Sequence, residues 1–577
     1  MKNESISIGK RRRSASEGAD KSCWVNGPSN PLITAMLTDR YQVSMAYAYY
    51  MQGIHLKNAT FDLFFRKCPF GGEFCIFAGL EEVLGLLSTF KFTTSDVESL
   101  KIIMPECDTK FWDYLSSLSC KDITVFAQKE GSVVFPREPL LRIEGPLIIG
   151  QLLETTLLNL VNFPSLVATC AARMRLAVGP NKKLFEFGLR RAQGPDGALS
   201  ASKYCYMGGF DGTSNILAAA TTAIPCIGTH AHAFVMCYSS LNELKEHMSP
   251  PVNPQSDPIL NAKIITNSHN TSKTNATFVE SCLSNLKLFG GAETNEGELA
   301  AFISYAQSFP TGFLALIDTY DTLTSGVVNF IAVAAALFSR GYQPKGIRLD
   351  SGDLAYLSKQ VRRNFIQADK IFGTSNNEFQ KLIIVASNDL NEDVLMDLDR
   401  QGHEIDAFGI GTHLVTCQAQ PALGCVYKLV EIDNAPRIKL SQEVSKLVIP
   451  CSKSVYRLFG KKGIPIVDVI QRSSERAPIA GERILVRHPF EEQKRAHVTP
   501  TEVQPLLHCV WAQGEPNDKV VGPLNDSRDF CLSQLRAMRE DHIRVTNPTP
   551  YKISVSSDLY NFMHELWMAE APISDLA

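Results

Sequence analysis

The chain has little charge of one sign: 57 Lys and Arg stand against 60 Asp and Glu over 577 residues, a formal net charge of -3. A protein this near neutrality has no broad basic field for nucleic acid or an anionic membrane surface, so any anion it binds must be gripped by a few placed groups. Paired cysteine motifs are also missing. The 15 cysteines are scattered, odd in number and never spaced C-x-x-C, which fits free thiols in a reducing compartment; we expect the cytosol. Long hydrophobic runs are absent too. Residues 1–29 carry charge and no apolar segment of the kind a secretory signal needs, and the longest apolar stretch, VVNFIAVAAALF at 327–338, contains an asparagine and is too short to cross a bilayer. Neither nucleic acid nor a membrane is expected as a partner.

What remains, 45% hydrophobic and 20% charged residues, is the composition of a soluble globular protein with chain enough for several cores. A polar tail over 1–29, with the basic run KRRRSAS at 10–16, is expected to be disordered. Residues 30–147 mix a helix over NPLITAMLTDRYQVSMAYAYYMQG (30–53) with short antiparallel strands at ATFDLFFRK (59–67) and within 123–146. A long apolar helix over 148–178, interrupted at Pro164, reads as a connector between domains.

From there to 430 the pattern changes. Short apolar runs, LFEFGL (184–189), GFLALIDT (312–319), GIRLD (346–350), KLIIVAS (381–387) and DAFGIG (406–411), alternate with helical stretches. That alternation predicts an α/β fold with a parallel sheet, and roughly seven strands favour an irregular (β/α) barrel over a regular eightfold one. The Pro- and Asn-rich 248–281 reads as a surface insertion. Residues 431–577 return to short strands, RIKLS (437–441) and SVYRLFG (454–460), and end in helices, so N- and C-terminal segments are expected to build one flanking mixed α/β domain.

Residues capable of chemistry collect where those parallel strands end: Arg190 and Arg191, Asp318 and Asp321, Arg348, Asp350 and Asp353, Asn388 and Asp389, then Gly409, Gly411 and Thr412. That end of a parallel sheet is where sites form. Singly, each has a plain structural role open to it. Asp318 and Asp321 could cap the following helix, Arg348 could pair with Asp350 or Asp353, and the glycines could mark a bare turn or expose backbone N–H groups to a phosphate.

GTHAHAF (228–234) places His230 and His232 two apart. On a strand they would share a face and could bind one metal. Apolar residues at Phe234, Tyr238, Leu241, Leu244 and Met248 instead predict a helix of nearly twenty residues starting near Thr229. In such a helix the two imidazoles diverge, while Thr229 and His232 share one side.

Together TDRYQ (38–42), FRKCPFGGEFCIFAGL (65–80), EFGLRRAQGPDGA (186–198), GGFDGTSN (208–215), GTHAHAF, LIDTYDT (316–322), GIRLDSGDL (346–354) and GIGTHLVT (409–416) resemble the nicotinate phosphoribosyltransferase family. The resemblance runs in order from about residue 30 to near the C-terminus. It implies a type II phosphoribosyltransferase fold, a homodimer with shared active sites, and transfer of phosphoribose from phosphoribosyl pyrophosphate to nicotinate with coupled ATP hydrolysis, in salvage synthesis of NAD. Mg²⁺ or Mn²⁺ is implied as cofactor, with ATP as co-substrate.

Residue by residue, the resemblance assigns nicotinate binding to Thr229, Arg348 and, from the partner subunit, a residue matching Tyr41, and the phosphorylated position to His232. The ribose 5-phosphate falls to Gly409, Gly411 and Thr412. The chemistry of the reaction adds Arg190 and Arg191 for pyrophosphate, Asp350 for ribose hydroxyls, and Asp318 to fix the His232 tautomer. His230 stands where a smaller or apolar residue is expected. Three rivals stay open: a nicotinamide-using relative, a metal-dependent amidohydrolase barrel with a His-x-His metal pair, and a non-catalytic phosphate-binding scaffold.

Overall fold

A computed structural model of the chain describes residues 27–570 apart from 246–249, 251–252, 254–276, 292, 375, 441–442, 444–445 and 518–519. The basic run at 10–16 and most of the segment read as an insertion lie outside the described residues. The end of that segment is helical: Thr277 and Glu280 form a capping box that starts the helix Phe278–Phe289.

The five apolar runs of the middle region all form strands, joined by a sixth at Gly212–Thr213. They make one parallel sheet in the order Gly212–Thr213, Lys183–Glu186, Ala407–Ile410, Ile383–Ala386, Gly346–Leu349, Leu314–Leu316. Side-chain caps set the helices that follow, from Asp353 to Tyr356 N and from Asn391 to Val394 N. The apolar stretch at 327–338 is the core helix Val327–Phe338, buried at every position but one.

Hydrogen-bonded strands do not close this sheet into a ring among the described residues. The gap between its edges is spanned by residues 225–230. On one side the backbone pairs with the edge strand, Ile227 N donating to Thr213 O at 2.8 Å and Thr213 N to Pro225 O at 3.0 Å. On the other side the link is made by side chains: the Thr229 hydroxyl donates to Leu314 O at 2.5 Å, and Leu316 N donates to His230 Nε2 at 3.3 Å. Two backbone groups of a free strand edge are thereby satisfied.

Besides the small pair Cys75–Ile76 with Val133–Val134, two larger sheets flank the parallel one. A seven-stranded antiparallel sheet interleaves N-terminal strands (Asn58–Phe65, Leu141–Pro146, Thr124–Ala127) with C-terminal ones (Cys425–Ile432, Ala435–Pro436, His508–Ala512, Glu515–Pro516). The remaining C-terminal strands form a six-stranded sheet of their own, Lys453–Phe459 to Ile553–Ser556. This separate sheet was not foreseen. Lys453 ties the two flanking sheets through an ion pair to Asp62 at 2.6 Å with both side chains 2% exposed, and Arg457 pairs with Asp468 inside the C-terminal sheet.

Several expectations change. The first helix is Arg40–Met51, not 30–53, because the chain before it is a run of turns. Residues 437–440 of RIKLS form no strand; the turn at 433–434 is followed only by the short Ala435–Pro436. The connector is broken at Leu153, between Leu147–Leu152 and Glu154–Val178, and continues straight through Pro164. Glu154–Val178 is long and apolar enough to cross a membrane, but 72% of its apolar window is buried inside the protein, the setting of a core helix.

Pro164 leaves the Leu160 carbonyl without its helical donor, and Gly79 packs against that oxygen with φ +104°; a Cβ at Gly79 would overlap it. Replacing Gly79 with Ala should therefore cost about 2–4 kcal/mol, read as a lowered urea midpoint. His230 gives a second test. Burial holds its imidazole down at about 4 from an ordinary 6.5, with Arg348 and His232 acting in the same direction. Between those values the unfolded chain binds the extra proton, so this contribution is full above about pH 6.5 and lost as pH falls toward about 4. Wild-type stability should drop about 1–2 kcal/mol more than that of His230→Leu between about pH 7 and pH 5. Equal pH slopes in urea unfolding would refute the assignment.

Candidate active site

The C-terminal ends of the parallel strands all open on one face, and the ends of Leu314–Leu316, Gly346–Leu349 and Ile383–Ala386 are laced together by side chains. Asp318 Oδ2 accepts from Asp350 N at 3.0 Å and from the Ser351 hydroxyl at 2.5 Å. Asp350 Oδ1 in turn receives the Ser387 hydroxyl at 2.6 Å and Arg348 Nη2 at 3.1 Å, while Arg348 Nε donates to Ser387 Oγ at 2.7 Å. The Arg348 guanidinium lies 5.5 Å from the centre of the Phe187 ring. Two of its nitrogens are thus fixed within the protein, and Nη1 has no partner among the described residues.

His232 reaches this cluster from the segment that spans the sheet edges. Its Nδ1 lies 3.0 Å from Thr319 Oγ1, and its Nε2 faces Asp350 Oδ2 at 3.8 Å and Asp318 Oδ1 at 3.9 Å. The ring is 40% exposed whereas Asp318 is 2% exposed, and Asp318 Oδ1 has no hydrogen-bond partner among the described residues. Asp318 was nominated to fix the His232 tautomer. The structure gives that position to Thr319, because 3.9 Å exceeds hydrogen-bond reach.

The long helix expected from Thr229 does not form. Residues 227–231 form no helix, and the helix is only His232–Met236, followed by a 3-10 turn at Leu241–Glu243. Tertiary contacts override the helical spacing: Thr229 and His230 are held to the strand edge, and Phe234 and Tyr238 pack on Tyr305 and Ser304. The two histidines still part company, for a different reason than helix geometry. His230 is buried among Phe234, Phe302 and Tyr305, while His232 faces the strand ends. Thr229 does not share its side, since its hydroxyl hydrogen points at Leu314.

Other expected residues stand around the cluster. Arg190 and Arg191 are exposed on the turn Leu189–Arg191 and have no carboxylate partner among the described residues. Behind that turn the buried Glu186 accepts from Ser202, Thr213 and Gly188 N, fixing its start. Gly409 lies inside its strand under the Phe187 ring, which a Cβ there would overlap, whereas Gly411 and Thr412 are partly open. Asp321 and Asp353 are helix caps, and Asp389 pairs with His413 at 3.2 Å. Tyr41, half exposed on the first helix, is set among Asp39, Glu154 and Thr155; burial first, then Glu154, pushes its phenol up. It makes no contact with the His232 cluster within this chain.

Sequence reasoning overlooked Thr319, Ser351, Ser387 and Phe187. Each lies inside or next to a motif already singled out, so adjacency to a strand end was the available signal. No group of three or more His, Cys, Asp or Glu fit to hold a metal ion occurs among the described residues. The site therefore offers an anchored imidazole, two carboxylates beside it and a braced guanidinium with one free edge, suited to binding an anion and to moving a phosphoryl group.

Comparison with known proteins agrees. Family models described as nicotinate phosphoribosyltransferase N-terminal domain, nicotinate phosphoribosyltransferase family and nicotinate phosphoribosyltransferase C-terminal domain match residues 36–162, 182–287 and 452–563. Nicotinate phosphoribosyltransferase 1 of Arabidopsis thaliana is 51% identical over 98% of this chain and 100% of its own length. Nicotinate phosphoribosyltransferase of Homo sapiens is 40% identical over 93% of this chain and 97% of its own. The crystal structure of human nicotinic acid phosphoribosyltransferase superposes with a TM-score of 0.77 at 39% identity, covering 92% of this chain and 99% of that one. With this degree of identity along nearly its whole length, the chain belongs to the nicotinate phosphoribosyltransferase family.

Proposed function

We propose that the protein joins nicotinate to phosphoribosyl pyrophosphate, forming nicotinate mononucleotide and pyrophosphate, with ATP hydrolysis coupled through phosphate carried on His232, as a salvage step toward NAD. The observation that carries this reading is the gathering of His232, Asp318, Asp350 and Arg348 at the ends of adjacent parallel strands, in a chain of this family.

The nicotinate ring nitrogen is the nucleophile, so the protein's task is to position it and to stabilise charge as pyrophosphate leaves the anomeric carbon. Arg348 suits the nicotinate carboxylate: Asp350, Ser387 and Phe187 hold the guanidinium still while Nη1 remains a free donor. Thr229 enters this reading as the residue that holds its segment to Leu314, because its hydroxyl hydrogen is already directed there. Arg190 and Arg191, exposed and unpaired, suit the pyrophosphate, and the backbone at Gly411 and Thr412 suits the 5-phosphate.

The donor set fits Mg²⁺ that arrives on the diphosphate, with Asp350 Oδ2 and the partnerless Asp318 Oδ1 as the carboxylate oxygens on that face. When bound it would neutralise charge developing on the leaving group. With Thr319 Oγ1 accepting from Nδ1–H, the Nε2 lone pair of His232 is free to attack the terminal phosphorus of ATP and displace ADP. Large apolar side chains are exposed on the same face, Leu189 at 45%, Ile216 at 76%, Leu217 at 58% and Tyr320 at 49%. They support a second copy of the chain as their cover, and with it a Tyr41 supplied by the partner.

Two experiments test the reading. Incubation with γ-labelled ATP should give an acid-labile label that His232→Ala abolishes and His230→Leu retains; a label lost only in the His230 variant would sink the carrier assignment. Arg348→Ala should lose about 2–4 kcal/mol in kcat/KM for nicotinate, because a buried charge-assisted bond is removed. Unchanged nicotinate kinetics would take Arg348 out of the site.

A further inference from the structure

The segment Asn295 to Glu298, which opens the helix Glu296–Ser308, touches both halves of the site from behind. On one side it grips the chain just beyond His232. Glu296 Oε1 accepts from Leu241 N at 2.9 Å, the Tyr238 hydroxyl meets Ser304 Oγ at 2.7 Å, and Gly297 lies so close to Tyr238 O that a Cβ would overlap it. On the other side it grips the π-helical turn that follows Asp318 and Thr319 in the chain. Glu298 Oε2 receives the Ser325 hydroxyl at 2.6 Å and Asn329 Nδ2 at 3.0 Å, and Asn295 N donates to Ser325 Oγ at 3.0 Å. Ser325 belongs to the π-helical turn Thr322–Gly326. The far end of that turn is seated by Gly326, which packs on Ile317 O just before Asp318.

Glu298 is fully buried, and among the described residues it has no cationic partner and its Oε1 no hydrogen-bond partner. A lone carboxyl so placed is costly unless it keeps its proton and holds something in place. Burial does push it up to about 7, with the carboxylates of Asp318 and Asp321 facing it and adding in the same direction.

We propose that Glu298, acting with Asn295 and Glu296, is a positioning residue that fixes the His232 helix against the Asp318 turn and so sets the contact between His232 and Thr319. The two elements meet directly through that single hydrogen bond and one longer approach of Nε2 to Asp318 Oδ1. Thr229 and His230 tie the chain before His232 to the strand Leu314–Leu316, and the helix Glu296–Ser308 holds the chain after it, so the imidazole is set between two supports. The inference rests on His232 being the working group of the site, as the proposed function has it.

The test uses the full chain. Ser325→Ala and Glu298→Ala should each lower kcat about 10- to 100-fold, the size of effect a small misplacement has, with KM for nicotinate changed by less than about 3-fold. Because both remove the same link, the double variant should be no worse than the poorer single one. Glu298→Gln, which imitates the protonated carboxyl, should keep most of the activity near pH 7 and lose any alkaline fall in rate that ionisation of Glu298 causes. The His232 imidazole resonances should shift in Ser325→Ala and stay near wild type in Glu298→Gln. Unmoved His232 resonances in Ser325→Ala, or additive losses in the double variant, would overturn the proposal. If Glu298→Ala does not fold, the Ser325→Ala resonances decide alone. Loss of the ATP label's dependence on His232, with these resonances still moving, would remove the carrier reading and leave the positioning role supported.

Discussion

The carboxylate of Asp318 is the constraint on which the rest of the site depends. Where Leu314–Leu316 and Gly346–Leu349 run out, the parallel ladder stops and backbone donors have to find other partners. Asp318 takes the N–H of Asp350 and the hydroxyl of Ser351, which ties the two strand ends together beyond the sheet. With Asp350 so placed, its own carboxylate braces Arg348 and Ser387. One buried acid thus orders a network spanning three strands. Its other oxygen stays without a partner beside a part-exposed imidazole, a departure from full satisfaction of the kind that collects at functional sites.

The stretch GTHAHAF does two jobs that compete in sequence and not in space. Thr229 and His230 serve the free edge of the sheet, one as donor to Leu314 and the other as acceptor from Leu316. Only after those anchors does the chain turn helical, at His232. Edge satisfaction therefore shortens the helix, and the short helix lets His232 reach Thr319. A neutral His230 is required for the edge bond, since a protonated ring has no acceptor. The same helix, Glu296–Ser308, then backs both this segment and the Asp318 turn, so the two faces of the site share a rigid support.

Chemistry and scaffold are separated in the buried charges. Lys453 with Asp62 and Arg457 with Asp468 are as deeply buried as any ion pairs among the described residues, yet they join or stiffen the flanking sheets. Such pairs register one element against another more than they stabilise it. By contrast Arg190 and Arg191 stand exposed at a strand end, with no carboxylate partner among the described residues.

The sequence by itself determined the parallel strands, the polar residues at their ends and the family, because short apolar runs with polar termini and ordered motifs are local signals. It also pointed to Arg348, Asp350 and His232 as members of one site. Tertiary structure alone decided how they touch. The spacing of Phe234, Tyr238, Leu241 and Leu244 reads as one helix, but Phe234 and Tyr238 pack against a neighbouring helix and the strand edge holds 229–230 out of any helix. Thr319 in place of Asp318 at the imidazole, the bracing Ser387 and the supporting Glu298 were invisible for the same reason. Each acts across a gap of 27 to 87 residues in the chain, and a hydrogen bond between such residues exists only once the strands and helices that carry them have been laid side by side.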